Sequence, residues 1–107
     1  MDFENLFELM VEKRASHFHL VPGSPILMRH DNVLMPLNNE ILTPDDTKKF
    51  ADTIMSEENK QILEKNLEVN FSHSIPGLSR FRIIIFRQRG TLAAVISTNP
   101  PSPPTIE

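Results

Sequence analysis

The stretch GLSRFRIIIFRQRGTLAAVIS, residues 77–97, predicts two neighbouring β-strands that are joined at Gly90. Successive side chains of a strand point to opposite faces of a sheet, so the pattern separates a core face from a second face. The side chains expected in the core are those of Phe81, Ile83 and Ile85. Arg80 and Arg82 then share the opposite face with the apolar Ile84 and Phe86. A glycine between the strands fits a tight turn or a bulge.

Four arginines flank the apolar run of the first strand, namely Arg80, Arg82, Arg87 and Arg89. One interpretation is a solvated face whose charges protect the sheet from unwanted pairing. The other is an anion site, because planar guanidinium groups bind phosphate or carboxylate bidentately. The residues by themselves leave both interpretations open, and composition alone favours the solvated face.

The positive charge is concentrated near the C-terminal end. Residues 1–79 contain 13 acids and 7 bases, residues 80–107 contain 1 acid and 4 bases, and the formal net charge is -3. Overall acidity argues against non-specific nucleic-acid binding, which needs a broad basic surface. A local basic cluster suits one anionic group or one acidic partner better. We therefore predict no nucleic-acid partner.

Length and composition predict one globular domain. The chain has 107 residues, of which 39% are hydrophobic and 23% are charged. Because there is no cysteine, disulfides and cysteine-ligated metals are excluded. The N-terminal MDFENLFELM lacks the basic residues of a signal peptide, and no apolar run has the length needed to span a bilayer.

The N-terminal half predicts a helix followed by three strands. Helical spacing of apolar residues indicates a first helix over residues 3–14, with Asp2 as its N-cap. ASHFHLV, residues 15–21, alternates as a strand does. ILMRHDNVLMPL, residues 26–37, predicts a hairpin with Asp31-Asn32 at its tip, since Asn tolerates a positive φ.

The C-terminal half predicts two helices followed by three strands. Thr43 is expected to cap a helix whose first residue is Pro44, and Ser56 is expected to cap the next helix. Pro76-Gly77 turns the chain after the strand LEVNFSHSI, residues 67–75. The side chains of that strand expected to face one way are those of Leu67, Val69 and Phe71.

This order of elements predicts an α+β domain. Short connections favour antiparallel neighbours, so we expect a mainly antiparallel sheet of about five to six strands with helices packed on one face. The tail NPPSPPTIE can continue neither a helix nor a central strand. We predict a domain over residues 1–98 and a proline-rich linker over residues 99–107 that leads towards a further domain.

Histidines are the candidate metal ligands. His17 and His19 share a face of the predicted strand, and His30 and His73 are further candidates. Two histidines without a carboxylate at a fixed spacing are a weak zinc signal, so we favour partly exposed polar positions and predict no metal. The pair Asp45-Asp46 is interpreted as charge at a helix N-terminus. No G-x-x-x-x-G-K-[ST] phosphate loop occurs, so this segment is predicted not to be an enzyme.

Five motifs in order resemble the N-terminal domain of the PilT/PilU-type ATPases, the motors of type IV pilus retraction. MDFENLFELMVEK resembles the opening helix of the PilU branch, LTPDDT resembles the next helix start, and PPTIE resembles the linker into the motor domain. GLSRFRIIIFRQRG is similar to the family's G-x-G-R-F-R-V-x-x-F-x-Q-R-G. The segment at 15–37 is similar to S-D-L-H-L, G-x-P-P and R-x-D-G-x-L, with matches at Ser16, His19, Leu20, Gly23, Pro25, Arg29, Asp31 and Leu34.

The resemblance implies a PAS-like fold and a regulatory and assembly role in a hexameric, cytoplasmic ATPase of twitching motility, held at the inner membrane by the pilus machinery. The domain would pack on its own and a neighbouring subunit's motor domain, and arginines would approach the phosphates of bound nucleotide as an arginine finger does. The matching positions are Arg82 and Arg89, with Arg80 and Arg87 nearby. ATP and Mg²⁺ are implied for the full-length protein and no cofactor for this segment. A second retraction ATPase and the inner-membrane pilus platform are implied partners.

The chain departs from the family pattern at four positions. His17 replaces an Asp, Asn32 and Ser79 each replace a Gly, and Ser97 replaces an Arg. If that Arg contacts phosphate, one contact is missing here, which would suit an accessory motor. Two alternatives stay open: a domain of a related type II secretion or pilus-assembly ATPase, and a stand-alone PAS-like module that binds a ligand or partner. A buried pocket with convergent polar groups would favour the module.

Overall fold

The computed structural model describes residues 5–99, and within them three helices and six strands follow the predicted order. The elements are α1 Leu6–Glu12, β1 His17–Leu20, β2 Leu27–His30, β3 Val33–Pro36, α2 Pro44–Ile54, α3 Glu57–Asn66, β4 Glu68–Ile75, β5 Ser79–Gln88 and β6 Thr91–Asn99. The predicted cap at Asp2 lies outside the described residues. So does the predicted linker at 99–107, apart from Asn99.

The six strands form one sheet in the order β3-β2-β1-β6-β5-β4, and every neighbouring pair is antiparallel. The last strand, β6, therefore lies between β1 and β5, and brings the two halves of the chain together. The predicted α+β class and antiparallel sheet are confirmed. The PAS-like assignment stays a prediction.

One face of the sheet is the core face, and the helices pack on it. Its fully buried side chains include Phe18 of β1, Phe81, Ile83 and Ile85 of β5, and Ile96 of β6. Phe7 of α1 stacks on this layer, with its ring 4.7 Å from that of Phe81. Phe50 of α2 and Leu63 of α3 complete the same cluster. Burying one such side chain contributes roughly 1.5–3 kcal/mol, so this layer holds the fold together.

The helix starts follow from side-chain caps. The Asp46 amide donates to Thr43 Oγ1 at 3.1 Å, and the Thr43 amide donates to the Asp46 carboxylate at 2.9 Å. This reciprocal capping box satisfies two amides that the first turn of α2 leaves unpaired. At α3 the Asn59 amide donates to Ser56 Oγ at 3.1 Å. Both predicted caps are confirmed.

Two hairpins turn on residues with positive φ. Asp31 and Asn32 have φ of 51° and 65°, and Arg89 and Gly90 have φ of 49° and 80°. Two consecutive positive φ values define the type I′ turn, whose twist matches that of the flanking strands. The predicted tip at Asp31-Asn32 is confirmed. Arg89 lies in the turn itself, one residue beyond the end of β5.

Leu67 was predicted to lie in a strand and to face the same way as Val69 and Phe71, and this is wrong. Leu67 is instead the C-cap of α3, with a left-handed φ of 64°, and 56% of it is exposed. Its amide donates to the Leu63 carbonyl at 2.8 Å, because a helix end needs such a residue to satisfy its last carbonyls. The first helix also ends earlier than predicted, at Glu12, and Arg14 takes a left-handed φ of 56°.

Candidate functional site: the arginine-bearing sheet face

The sheet face opposite the helices is called the open face here. Strand register arranges its side chains in rows that run across the sheet. One row, the arginine row, consists of Ser72, Arg82, Ser97, His17, Arg29 and Leu34. The next row, the apolar row, consists of Asn70, Ile84, Val95, His19, Leu27 and Pro36. Residues opposed in this way have neighbouring Cβ atoms, so the side chains of one row are placed next to one another.

Two arginines stand in the arginine row with polar groups between them. Arg82 on β5 is opposite Ser97, Ser97 is opposite His17, and His17 is opposite Arg29 on β2. Three strand spacings separate the two arginine backbones, about 14 Å. Both arginine side chains are exposed, whereas Ser97 and His17 are partly buried. The row can therefore offer two guanidinium groups to one anionic surface.

The four arginines flanking the apolar run fall into two groups. Arg80 and Arg82 lie on the open face, as their alternation predicted. Arg87 lies on the opposite face of β5, the helix side. It lines a cleft of about 280 Å³ beside Asp45 and Lys48 of α2. Arg87 lies five residues from Arg82, about 17 Å along the strand, and Arg89 lies beyond it at the hairpin tip. Because of this distance, one phosphate could not contact both pairs of arginines, whereas an extended partner surface could contact both.

The histidines do not assemble as the weak metal hypothesis required. His17 and His19 share the open face, with ring centroids 6.2 Å apart. His30 lies on the opposite face of the sheet from His17, and its Nδ1 donates to the Arg14 carbonyl at 3.0 Å. His73 lies on the helix side, 5.0 Å from the ring of Phe7. Within residues 5–99, no three His, Cys, Asp or Glu side chains converge on a metal-sized site.

The pKa of His19 reflects the surroundings of this residue on the open face. Burial lowers the pKa of His19 below its usual 6.5, and the positive charges of His17 and Arg29 lower that pKa further. A neighbouring cation disfavours a second one, so the smaller part of the shift, which comes from His17 and Arg29, indicates positive charge near His19. The open face thus favours anionic or acidic ligands.

Arg29 was matched to a family motif but not selected as a site residue. β1 separates β2 from β6, so Arg29 lies beside His17 and in line with Arg82. Sequence alternation within one strand carries no information about which strands become neighbours. The R-x-D-G-like pattern around Arg29 was the signal that could have found it.

A groove of about 480 Å³ runs between α1 and the end of the sheet. Its lining is mainly apolar, from Met10, Val11 and Leu78, with Arg14 at one side. The groove is open to solvent, so it is not the enclosed pocket expected of a small-ligand module. Among the described residues, no helix has the length and apolar character to cross a membrane.

Known proteins share both this fold and this sequence. The chain is 34% identical over all 107 residues to the type IV pilus ATPase PilU of Pseudomonas aeruginosa, and 31% identical over 107 residues to the type IV pilus retraction ATPase PilT of the same species. It covers 28% and 31% of those two proteins. No protein-family model matches the chain.

Solved structures show a similarity to the same group of ATPases. The crystal structure of the pilus retraction motor PilT with bound ADP superposes with a TM-score of 0.85 at 32% identity, over 96% of this chain and 30% of that one. The Legionella pneumophila ATPase DotB has a TM-score of 0.76 at 18% identity, over 95% of this chain and 29% of that one, and shows the shared fold alone.

The fold is that of an α+β domain in which helices cover one side of a six-stranded antiparallel sheet. Within that class, the chain is an N-terminal domain of the PilT/PilU-type ATPases. The predicted family is confirmed. The chain spans about 30% of the length of the relatives it matches.

Proposed function

We propose that this chain is the regulatory and assembly domain of a hexameric type IV pilus retraction ATPase. The observation that carries the proposal is the exposed arginine-bearing face on a domain that matches PilU and PilT along its whole length. In the full-length parent, a motor domain would bind ATP and Mg²⁺ and perform hydrolysis. The parent would work in the cytoplasm at the inner-membrane pilus platform, beside a second retraction ATPase.

The arginines are the residues with which the domain would contact that motor domain. Arg82 and Arg80 project from the open face, and Arg87 and Arg89 lie at the β5–β6 hairpin. Packed on a neighbouring motor domain, one of these groups would donate hydrogen bonds to phosphate oxygens, where charge develops during phosphoryl transfer. The other group, about 17 Å away, would contact the protein surface.

The test is steady-state ATP hydrolysis by the full-length parent. Arg82→Gln and Arg89→Gln are the two variants, since Gln keeps polarity and removes the charge. A charge-assisted hydrogen bond contributes about 1.5–3 kcal/mol, so loss of a transition-state contact should lower kcat by roughly 10- to 100-fold. Only the arginine that reaches phosphate should show this loss.

Lys49→Gln is the matched control, because it removes one exposed charge from α2, on the helix side of the domain. All three variants should keep the melting temperature of the parent, since the side chains are exposed. If Arg82→Gln and Arg89→Gln both retain kcat within about twofold, neither Arg82 nor Arg89 acts on phosphate, and the role proposed for these two residues is wrong.

A further inference from the structure

The groove between α1 and the end of the sheet lies where the last strand ends. Its volume is about 480 Å³, and Met10, Val11 and Leu78 form its apolar wall. Val11 and Leu78 pack against the core but are only partly buried, so the groove leaves part of their apolar surface exposed to solvent. Thr98, the last residue but one of β6, also lines the groove. The segment that follows β6 is therefore attached at the edge of this groove.

The strand registers of β6 point along the groove. β6 pairs with β1 on one side and with β5 on the other. Continued one step past Asn99, the two registers lead to the gap between Arg14 and Ser79. Continued a second step, the register with β5 leads to Leu78. Because Arg14, Ser79 and Leu78 all line the groove, a chain that keeps the direction of β6 enters it.

The sequence that follows β6 is chemically suited to such a groove. Residues 100–104 read PPSPP. Proline rings are apolar, and each proline has a carbonyl acceptor but no amide donor. The groove has an apolar wall for the rings, and the exposed guanidinium group of Arg14 can donate to the carbonyls. Proline-rich segments bind apolar grooves in this way, because their extended backbone loses little entropy on docking.

The attachment of this segment favours its own chain as the source of the occupant. No loop has to be closed, since β6 ends at the groove. Binding is then intramolecular, so a weak contact is sufficient for high occupancy. Five residues in the polyproline II conformation extend about 15 Å, which is enough to follow the groove away from β6.

We infer that residues 100–104 dock in the groove between α1 and the end of the sheet, with Arg14 as a donor to their carbonyl groups. This inference does not depend on the proposed function. Docking fixes the direction in which the chain leaves the domain, and it makes the proline-rich segment a rigid extension of β6.

The first experiment is NMR relaxation on the isotope-labelled 107-residue chain. Ser102 has the one backbone amide within residues 100–104, because the other four residues are prolines. Docking predicts an order parameter for this amide near that of rigid backbone, about 0.85, and a value below about 0.7 overturns the inference. The order parameter should not change with protein concentration. A value that rises with concentration would show that the groove binds the segment of a second copy, which also overturns the inference.

The second experiment changes the groove, since a proline-rich segment has some stiffness of its own. Val11→Glu places a charge in the apolar wall and should lower the Ser102 order parameter below about 0.6. The matched control is Ile62→Glu, the same change at a residue of α3 that is 38% exposed and does not line the groove. Ile62→Glu should leave the Ser102 value unchanged, and equal effects of the two variants would contradict docking.

The third experiment leaves the folded domain unchanged. All four prolines of residues 100–104 are replaced by serine, and the methyl signals of Val11, Leu78 and Ile62 are compared with those of the parent chain. Docking predicts that the signals of Val11 and Leu78 shift, because they lose their contact with the proline rings, whereas the signal of Ile62 does not. Unchanged signals at Val11 and Leu78 would refute docking even if Val11→Glu failed to fold.

Discussion

Replacing His17 and Ser97 together should build an ion pair across the middle of the open face. The two residues are directly opposed on β1 and β6, and His17 is also opposite Arg29. The family pattern resembled by this chain has an Asp and an Arg at these two positions. We therefore expect His17→Asp and Ser97→Arg to differ in their single effects on the free energy of unfolding. Together they should stabilise the fold more than the sum of the two single effects.

The magnitude follows from the register. Opposed residues have Cβ atoms about 4.5–5.5 Å apart, and opposite charges there contribute about 0.2–1 kcal/mol. Both positions are partly buried, so we expect a coupling free energy in the upper half of that range, about 0.5–1 kcal/mol. Ser97→Arg alone places a third arginine next to Arg82, and should lower the free energy of unfolding by a few tenths of a kcal/mol. His17→Asp alone should be near neutral or stabilising, because the new carboxylate is opposite Arg29.

The assay is a double-mutant cycle by urea unfolding of the 107-residue chain at about pH 8, where histidine is neutral. The cycle is repeated in about 1 M NaCl, where the Debye length is only about 3 Å and the coupling should shrink. The control cycle pairs His17→Asp with Thr91→Arg, a change on the same face of β6 but six residues away. Coupling below about 0.2 kcal/mol at low salt, or coupling that salt leaves unchanged, would show that the two side chains do not face each other as this register requires.

Two further predictions concern the cap of α2 and the response to pH. Thr43→Ala removes the Thr43 half of the α2 capping box, and should lower the free energy of unfolding by about 1 kcal/mol or more in urea titrations. Ser56→Ala removes a single cap bond, so it should lower the free energy of unfolding less than Thr43→Ala does. A larger loss in Ser56→Ala would contradict this expectation. Because the pKa of His19 is lowered in the folded state, the unfolded chain takes up a proton first as pH falls through the usual 6.5, and stability falls until the folded pKa is passed. Melting temperatures between about pH 8 and 5 should therefore fall less steeply in His19→Gln than in the parent, and equal slopes would refute the burial and charge assigned to His19.

The local structure was predictable because its causes are local. Capping at Thr43 and Ser56 depends on residues three positions apart, and the Asp31-Asn32 tip depends on two residues that accept positive φ. The alternation of β5 identified Ile83 and Ile85 as core without knowledge of any partner strand. The family also followed from the sequence, since its motifs occur in order along the chain.

Leu67 shows where local pattern fails. Its apolar side chain fitted the alternation of β4, yet the end of α3 required a left-handed residue at that position. The geometric need of the helix end outweighed the burial of one side chain. Periodicity within one element therefore could not place the junction between two elements.

The candidate site was decided by tertiary structure. Arg29 and Arg82 are 53 positions apart in the sequence, and they share a row only because β1 pairs with β2 on one side and β6 on the other. His30 and His73 lie outside the site for a local reason, because alternation along their strands places them on the face opposite that of His17. A strand's own residues specify which side chains share its face, but its neighbours are chosen by the packing of the whole sheet on α1, α2 and α3. The sequence by itself thus determined the elements and their faces, and the long-range pairing of strands determined which charges meet.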